Sequence, residues 1–430
     1  MSENPFFPGK PVPPEFLIGH EYEIAISFDQ INQQGHLAIW GGSGIGKSSF
    51  LGLLASSQVW EENGLEPSKV VIAMMDCDNI HPFTPSGFWW EVLNAIKNAI
   101  KNQLNGTALE AEIQKIFHQG EVSKDNLNQI LLDIGREKKF LLLLVDNFDV
   151  ALRKNEEYTK ADMQRFLSEC RSLAVASPGS RNLSMVVTSL KRLNELGPKL
   201  NSKASPWYNH YLFVQLKPFK NQEIDELLGK VRMTLGLREA IKEVAGGNPR
   251  LLQIAGFLLY RQRQIEIKAN RHPDVEQFIN YFQTSTQQIY QIIWERCSEI
   301  EQDLLMLVAI FDLQGRLHQK KRFDLSNLDL MFTQRERELK NLEEQGVIIH
   351  KQEKKKIVYS FASSMMQKWV IQEVWNTDNP FIEERERVLI QLISHKQLEQ
   401  IKLIWEEKDK IISTMEWFGK LVAAFPKGFI

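Results

Sequence analysis

Residues 41 to 48 read Gly41-Gly42-Ser43-Gly44-Ile45-Gly46-Lys47-Ser48, which satisfies G-x-x-x-x-G-K-S at every position. Few motifs restrict a fold so sharply, because this one works only between a strand and a helix. Both flanks suit it. Leu37-Ala38-Ile39-Trp40 precedes it as a short apolar run, and Ser49-Phe50-Leu51-Gly52-Leu53-Leu54 follows with a helical pattern. The glycines let the backbone curl so that its N–H groups face phosphate oxygens. The helix N-terminus adds partial positive charge at the same place. In this arrangement Lys47 reaches the β- and γ-phosphates and the Ser48 hydroxyl ligates Mg²⁺.

The chain has 430 residues, more than one ordinary core accommodates, so two or three domains are expected. A net charge of −2 removes any global basic field that would draw nucleic acid or membrane, leaving only local patches to consider. Cys77, Cys170 and Cys297 lie far apart and show neither disulfide nor zinc spacing. The N-terminus has no basic n-region or apolar h-region, and no apolar run approaches the span of a bilayer. The expectation is a cytoplasmic protein without membrane contact.

Residues 1 to 15 carry Pro5, Pro8, Pro11, Pro13 and Pro14, which favour an extended path rather than an element. A turn at Gly19 then feeds an amphipathic helix through about Asn32. Further on, four runs read as buried strands: Lys69 to Asp76, Phe140 to Asp146, Leu183 to Ser189 and Tyr211 to Leu216. Helical spacing separates them at Phe88 to Leu104, Leu127 to Ile134 and Met163 to Ala176. Strands alternating with helices predict a parallel sheet covered on both faces, with ligands at the carboxyl ends of its strands. Gly41, Asp146 and Thr188 each fall at such an end.

Beyond Pro218 the pattern is helical: Asn221 to Leu228, Leu237 to Ala245, Pro249 to Arg263 and Val275 to Phe282. From about Gln287 it changes again. Helices are expected at Ile289 to Cys297 and Ile300 to Phe311, with a short one at Leu325 to Met331. Another starts from a capping box at Thr333-Gln334-Arg335-Glu336 and ends at Gly346. Two strands, Val347 to His350 and Lys356 to Phe361, flank the charged turn Lys351-Gln352-Glu353-Lys354-Lys355. Helices followed by a hairpin give the order of a winged helix. The expected domains are residues 1–217, 218–285, 286–376 and a helical tail at 377–430.

Asp146 closes an apolar strand, where a carboxylate holds Mg²⁺ through water. A carboxylate one position later would orient the attacking water, but Asn147 stands there and cannot act as a base. Asp149 is the nearest alternative and equally suits a helix cap. Thr188 and Ser189 end the next strand, where a polar side chain senses a terminal phosphate or caps a turn. Gly246-Gly247-Asn248-Pro249-Arg250 joins two helices. Pro249 suits a first helical turn and Arg250 offers a permanent cation. Arg335, Arg337 and Lys340 on the presumed third helix, and Lys351, Lys354, Lys355 and Lys356 on the wing, preceded by Lys320, Lys321 and Arg322, are cations able to meet phosphates. Glu336, Glu338, Glu343 and Glu344 interleave with them in the manner of a solvated helix face, which favours an interaction or spacer wing over a sequence reader.

Taken together, these residues resemble the STAND class of P-loop NTPases and its archaeal-ATPase and origin-recognition AAA+ relatives, over roughly residues 4 to 375. Asn4-Pro5-Phe6 and Pro13-Pro14-Glu15-Phe16-Leu17-Ile18-Gly19-His20-Glu21 resemble the segment that in this family lies against adenine and ribose, with His20 where arginine is usual. Leu144-Val145-Asp146-Asn147-Phe148-Asp149 is similar to the family's Walker B strand. Val186-Val187-Thr188-Ser189 is similar to its sensor 1 strand, here followed by Leu190 rather than arginine, with Arg192 the nearest cation. Gly247-Asn248-Pro249 matches the lid signature.

The resemblance implies an α/β P-loop sheet, a helical lid, a winged helix and a tail, with ATP or ADP and Mg²⁺ as cofactors. It implies nucleotide contacts from Gly41, Gly42, Ser43, Gly44, Ile45, Gly46, Lys47, Ser48 and Ser49, and from Ile18, Pro249 and Arg250. Ser48 and Asp146 hold the metal, and Lys47, Asp146, Asp149 and Ser189 serve hydrolysis. The implied role is a molecular switch with slow ATP hydrolysis, acting through a protein partner or homo-oligomer in signalling, regulation or defence. Two other readings stand beside it: a DNA-binding ATPase that uses the winged helix, and an adaptor that holds nucleotide without turnover.

Overall fold

The structure, a computed structural model, describes residues 3–101, 108–198, 206–269, 275–314, 332–353 and 356–371. The chain divides into two compact units. One comprises residues 11–41 and 46–216. The other comprises residues 1–10, 42–45 and 217 onward.

In the first unit, strands β1 (His36–Trp40), β2 (Val70–Asp76), β3 (Phe140–Asp146), β4 (Leu183–Ser189) and β5 (Tyr211–Gln215) form one parallel sheet in the order β2-β3-β4-β1-β5. β1, β3 and β4 are buried at every residue. That is why they read as unbroken apolar runs without alternation. Trp40 pairs with Ser189 and Asp76 with Asp146, which brings the ends of four neighbouring strands to one edge. The chain leaves β1 for the far edge, returns through β3 and β4, and places β5 on the other side of β1. This reversal at β1 makes its carboxyl end a switch point, where sheets of this kind bind ligands.

Helix starts are locally encoded. Thr84 accepts from the Gly87 N–H ahead of the helix Pro85–Ile100, where proline occupies the first turn. Ser123 with Asn126, and Thr159 with Asp162, form reciprocal capping boxes. Beneath the helices an aromatic cluster of Phe83, Phe88, Trp89, Phe148, Tyr158 and Phe166 fills the core. Phe148 is fully buried in it, two residues after Asp146, and so anchors the strand end where the candidate chemistry lies.

Three local expectations change. Pro14–Phe16 closes a single 3-10 turn, because proline at its first position suits a helical turn as well as an extended path. The helix Ala108–Gln119 was not anticipated, although its apolar residues Leu109, Ile113 and Ile116 have helical spacing. The helix expected at Met163 to Ala176 runs from Lys160 to Arg171 and continues as a short π-helical turn at Ser172–Ala176.

The second unit contains the helices Asn221–Leu228, Leu235–Ala245, Pro249–Ala269, Val275–Glu295, Glu299–Gln314, Glu336–Glu344 and Ser364–Trp369. It also contains an antiparallel hairpin of β6 (Ile348–Glu353) and β7 (Lys356–Phe361). The two helices expected at Val275 to Phe282 and Ile289 to Cys297 are one. Phe278, Phe282, Thr286, Ile289 and Tyr290 are all buried along it, so the buried face continues through Thr286 and nothing terminates the helix there. The helix expected from Thr333 is recorded from Glu336, with Arg335 as its N-cap. Ser363 Oγ donates to the Val244 carbonyl at 2.5 Å, and Gly246 lies so close to Ala362 that a Cβ there would meet its carbonyl at 2.3 Å. The segment after the hairpin and the Leu235–Ala245 helix therefore share one core. The expected helix at Leu325 to Met331, the cations Lys320, Lys321, Arg322, Lys354 and Lys355, and the tail at 377–430 lie outside the described residues.

Candidate nucleotide-binding site

β1 ends at Trp40 and the Gly41 N–H donates to the Ser189 carbonyl at 3.3 Å, which joins the loop's first residue to β4. Gly44 and Gly46 have φ of +77° and +104°, a region L side chains avoid, so glycine is required at both. Gly46 caps the helix Lys47–Leu54, whose first N–H groups have no intrahelical acceptor and whose axis dipole favours an anion. Lys47 is buried, and its Nζ donates to the Gly41 carbonyl at 2.8 Å. The ammonium thus lies over the mouth of its own loop.

Ser48 Oγ donates to Asp146 Oδ2 at 2.5 Å. The other carboxylate oxygen accepts from the Asn147 N–H at 3.0 Å and from the Thr188 hydroxyl. Thr188 Oγ1 in turn accepts from the same Asn147 N–H at 3.1 Å. Asp146 is 4% exposed and its carboxylate is held on both oxygens, so its orientation is fixed before any ligand arrives. Among the described residues no group of three or more His, Cys, Asp or Glu is placed to hold a metal unaided. A serine hydroxyl beside one carboxylate suits Mg²⁺, which keeps most of its sites for phosphate and water.

Asn147 adopts a left-handed backbone, φ +52°, and its side chain donates to Asp76 Oδ1 at 2.9 Å. Asp149 lies in the 3-10 turn Phe148–Leu152, is 4% exposed, and accepts from Arg153 at 2.5 Å. Ser189 Oγ donates to the Lys191 carbonyl at 2.7 Å and so shapes the turn after β4. The Arg192 guanidinium stacks over Trp40 at 4.9 Å, beside the residue from which the loop departs.

The N-terminal stretch packs against the same helix. The Val12 N–H donates to Ser49 Oγ at 2.9 Å, and the Pro14–Phe16 turn lies on Lys47–Leu54. Ile18 is buried, and His20 caps the next helix with φ +65°, its ring edge-on to Phe50.

In the second unit, the loop residues Gly42–Ile45 meet the segment before the helix Pro249–Ala269. Asn248 Nδ2 donates to the Ser43 carbonyl at 3.0 Å, and the Arg250 N–H donates to the Gly44 carbonyl at 3.2 Å. Asn248 Oδ1 meanwhile accepts from the N–H groups of Arg250 and Leu251 and caps that helix. A Cβ on Gly44 would stand 2.9 Å from Arg250 Cβ, so Arg250 lies along the loop. Pro249 is the helix's first residue.

The structure therefore gathers Lys47, Ser48, Asp146 and Thr188 at one strand edge, and Asn248 and Arg250 against Gly42–Ile45. Two participants escaped the sequence reading. Asp76 ends an apolar strand just as Asp146 does, and that shared pattern was a usable signal. Asn248 sits inside the glycine-rich junction, but nothing in its spacing disclosed a bond to Ser43.

No protein-family model and no curated protein matches the chain. Among solved structures, a Walker-type ATPase of Pyrococcus abyssi aligns with a TM-score of 0.57 at 16% identity, covering 83% of this chain and 97% of that one. The Aeropyrum pernix ORC2 protein in ADPNP–ADP complexes gives 0.48 at 16% identity, covering 82% and 93%. The Aeropyrum pernix ORC1 protein in complex with DNA gives 0.39 at 13% identity, covering 86% and 94%. At these identities the likeness concerns the fold, and below a TM-score of 0.5 the second and third add nothing to it. Parallel sheet, loop and comparison agree on the class: the chain has the α/β fold of the P-loop NTPases.

Proposed function

We propose that the chain binds ATP or ADP with Mg²⁺ and acts as a switch of the STAND or AAA+ type, with slow hydrolysis. The observation that carries this is the Ser48–Asp146 hydrogen bond at 2.5 Å at the base of an intact phosphate loop. These residues fit a Mg²⁺-nucleotide: Ser48 and Asp146 would hold the metal, and Lys47 and the loop N–H groups the phosphates. When bound, the Mg²⁺-triphosphate supplies the electrophilic phosphorus and the cation that offsets charge developing on its oxygens.

The chain's own contributions follow from the geometry. Thr188 and the Asn147 N–H fix the Asp146 carboxylate. Lys47 is drawn to the loop's first carbonyl. Asn147, an amide tied to Asp76, has no basic group to take a proton from water, which supports slow turnover. The switch reading draws support from the loop itself. Its Ser43 and Gly44 carbonyls accept from Asn248 and from the Arg250 N–H, so a loop that changes on binding phosphate would alter the hold on the helix Pro249–Ala269. Domain roles of lid, winged helix and tail belong to this proposal, as does a protein partner or second copy of the chain. Among the described residues no helix is long and apolar enough to cross a membrane. Exchanging ADP for a non-hydrolysable triphosphate and recording small-angle scattering tests the switch. A changed profile or assembly state is expected, and an unchanged one removes it.

A DNA-binding ATPase is the second reading, favoured by exposed Arg337, Lys340 and Lys351 near the hairpin. The Arg335–Glu338 pair at 3.5 Å, with Glu336, Glu343 and Glu344 on the same helix, offsets charge on this surface, which weighs against it. Duplex affinity that falls steeply with salt would support DNA binding. No binding at low salt with ATP present would exclude it.

A further inference from the structure

Within the sheet unit, β2 and β3 end on a matched pair of acids. Asp76 and Asp146 are register partners at the carboxyl ends of the two strands. Their surroundings differ. Asp146 is buried and bonded on both oxygens, to Ser48 on one and to Thr188 and the Asn147 N–H on the other. Asp76 is partly exposed, and among the described residues only its Oδ1 is bonded. That oxygen accepts from Asn147 Nδ2 and from the Asp78 N–H, each at 2.9 Å.

The contact with Asp76 decides how the Asn147 amide is turned. A carboxylate oxygen accepts, so the amide presents its nitrogen to Asp76 and turns its own oxygen away. The backbone beneath is fixed as well, with φ +52° and an N–H shared between Asp146 and Thr188. Asn147 Oδ1 accepts from no described residue, and the residue is partly exposed, so water can donate to it. It belongs to the residue directly after Asp146, on the same strand edge as Ser48 and Thr188. Phosphoryl transfer asks mainly that the attacking water be held in line, which an amide oxygen can do without taking a proton.

We propose that Asn147 holds the attacking water through its side-chain oxygen, and that Asp76 is a positioning residue acting through it. This rests on the nucleotide-binding reading above. In the step, the water oxygen bonds to the γ-phosphorus as the bond from that phosphorus to the β–γ bridging oxygen breaks. One water proton passes to a phosphate oxygen and the other stays on the new P–OH, so neither residue changes charge.

The test uses the full chain, Asn147→Gly, Asp76→Ala and the double variant. Glycine keeps the left-handed turn without strain. Single-turnover ATP hydrolysis should fall at least about tenfold in Asn147→Gly and by a smaller factor in Asp76→Ala. The double variant should match Asn147→Gly within about twofold, because Asp76 acts only through that amide. Mg²⁺-dependent affinities for ADP and a non-hydrolysable ATP analogue should stay within about twofold of the parent, which also certifies folding. Affinity for ADP–aluminium fluoride, a mimic of the phosphoryl group in transfer, should fall in step with the rate. An unchanged rate in Asn147→Gly, equal loss of all three ligands, or additive losses in the double variant would overturn the assignment. So would a parent that binds nucleotide and never turns it over. A parent that binds no nucleotide fails the underlying reading first, and the two failures are told apart.

Discussion

Asn147 donates to Asp76 across the carboxyl ends of β3 and β2 at 2.9 Å. The residue after Asp146 thus ties two strands together, on a left-handed backbone that asparagine tolerates better than most residues. This yields an ordering. Asn147→Gly loses only the side-chain bond, about 1 kcal/mol. Asn147→Ala loses the bond and adds the left-handed penalty, a further 1–2 kcal/mol or so. Urea midpoints of the two variants check it. If alanine is no worse than glycine, the backbone argument is wrong.

Asp149 is expected to be structural. It is buried and pairs with Arg153, whose side chain is 57% exposed, so Asp149→Asn costs at most about 1 kcal/mol through that pair. Single-turnover ATP hydrolysis by Asp149→Asn should match the parent. A drop beyond tenfold with unchanged nucleotide affinity would instead make Asp149 the water-orienting group.

Phe6 packs on the helix Pro249–Ala269 at Gly256, where a Cβ would come within 2.2 Å of its ring. Asn4 and Gln253 hold the same stretch by bonds to the Phe257 carbonyl and from the Phe7 N–H. Gly256→Ala should destabilise by about 1–3 kcal/mol through overpacking. In a Phe6→Ala background the same change should be neutral or stabilising by up to about 1 kcal/mol, since alanine is the better helix former. A cycle of the four melting curves decides it. Simple additivity would deny the contact.

Acid should weaken the sheet unit. Burial lowers the pKa of His36, and burial followed by the neighbouring His36 and Arg171 charges lowers His210 to about 3. Their rings lie 5.3 Å apart. In the unfolded chain both protonate near the ordinary 6.5, so below that pH the unfolded state takes up protons the folded state refuses. Stability is complete above about pH 6.5 and falls as pH drops toward the folded values, by up to about 1.4 kcal/mol per pH unit for each histidine. Denaturant midpoints between pH 7 and 5 measure the slope, and His210→Phe should reduce it.

What the sequence disclosed follows from the range of the forces involved. The loop, the buried strands and Asp146 were legible because each depends on its immediate neighbours: glycine torsions, continuous burial, and an acid closing an apolar run. The single helix Val275–Glu295 was missed because a polar patch around Gln283 to Gln288 interrupted the apparent pattern, while Thr286 is buried despite its hydroxyl. That hydroxyl is satisfied by the Phe282 carbonyl one turn back. Asn248 and Ser43 lie 205 positions apart, and no local propensity encodes such a pairing.

The most direct measurement is Mg²⁺-dependent binding of ATP to the parent chain and to Lys47→Ala by calorimetry. The parent should bind, with affinity falling when Mg²⁺ is chelated, and Lys47→Ala should lose at least about a hundredfold while its melting curve changes little. Absence of binding by the parent, or binding that Lys47→Ala leaves untouched, would contradict a nucleotide site built on Gly41 to Ser48.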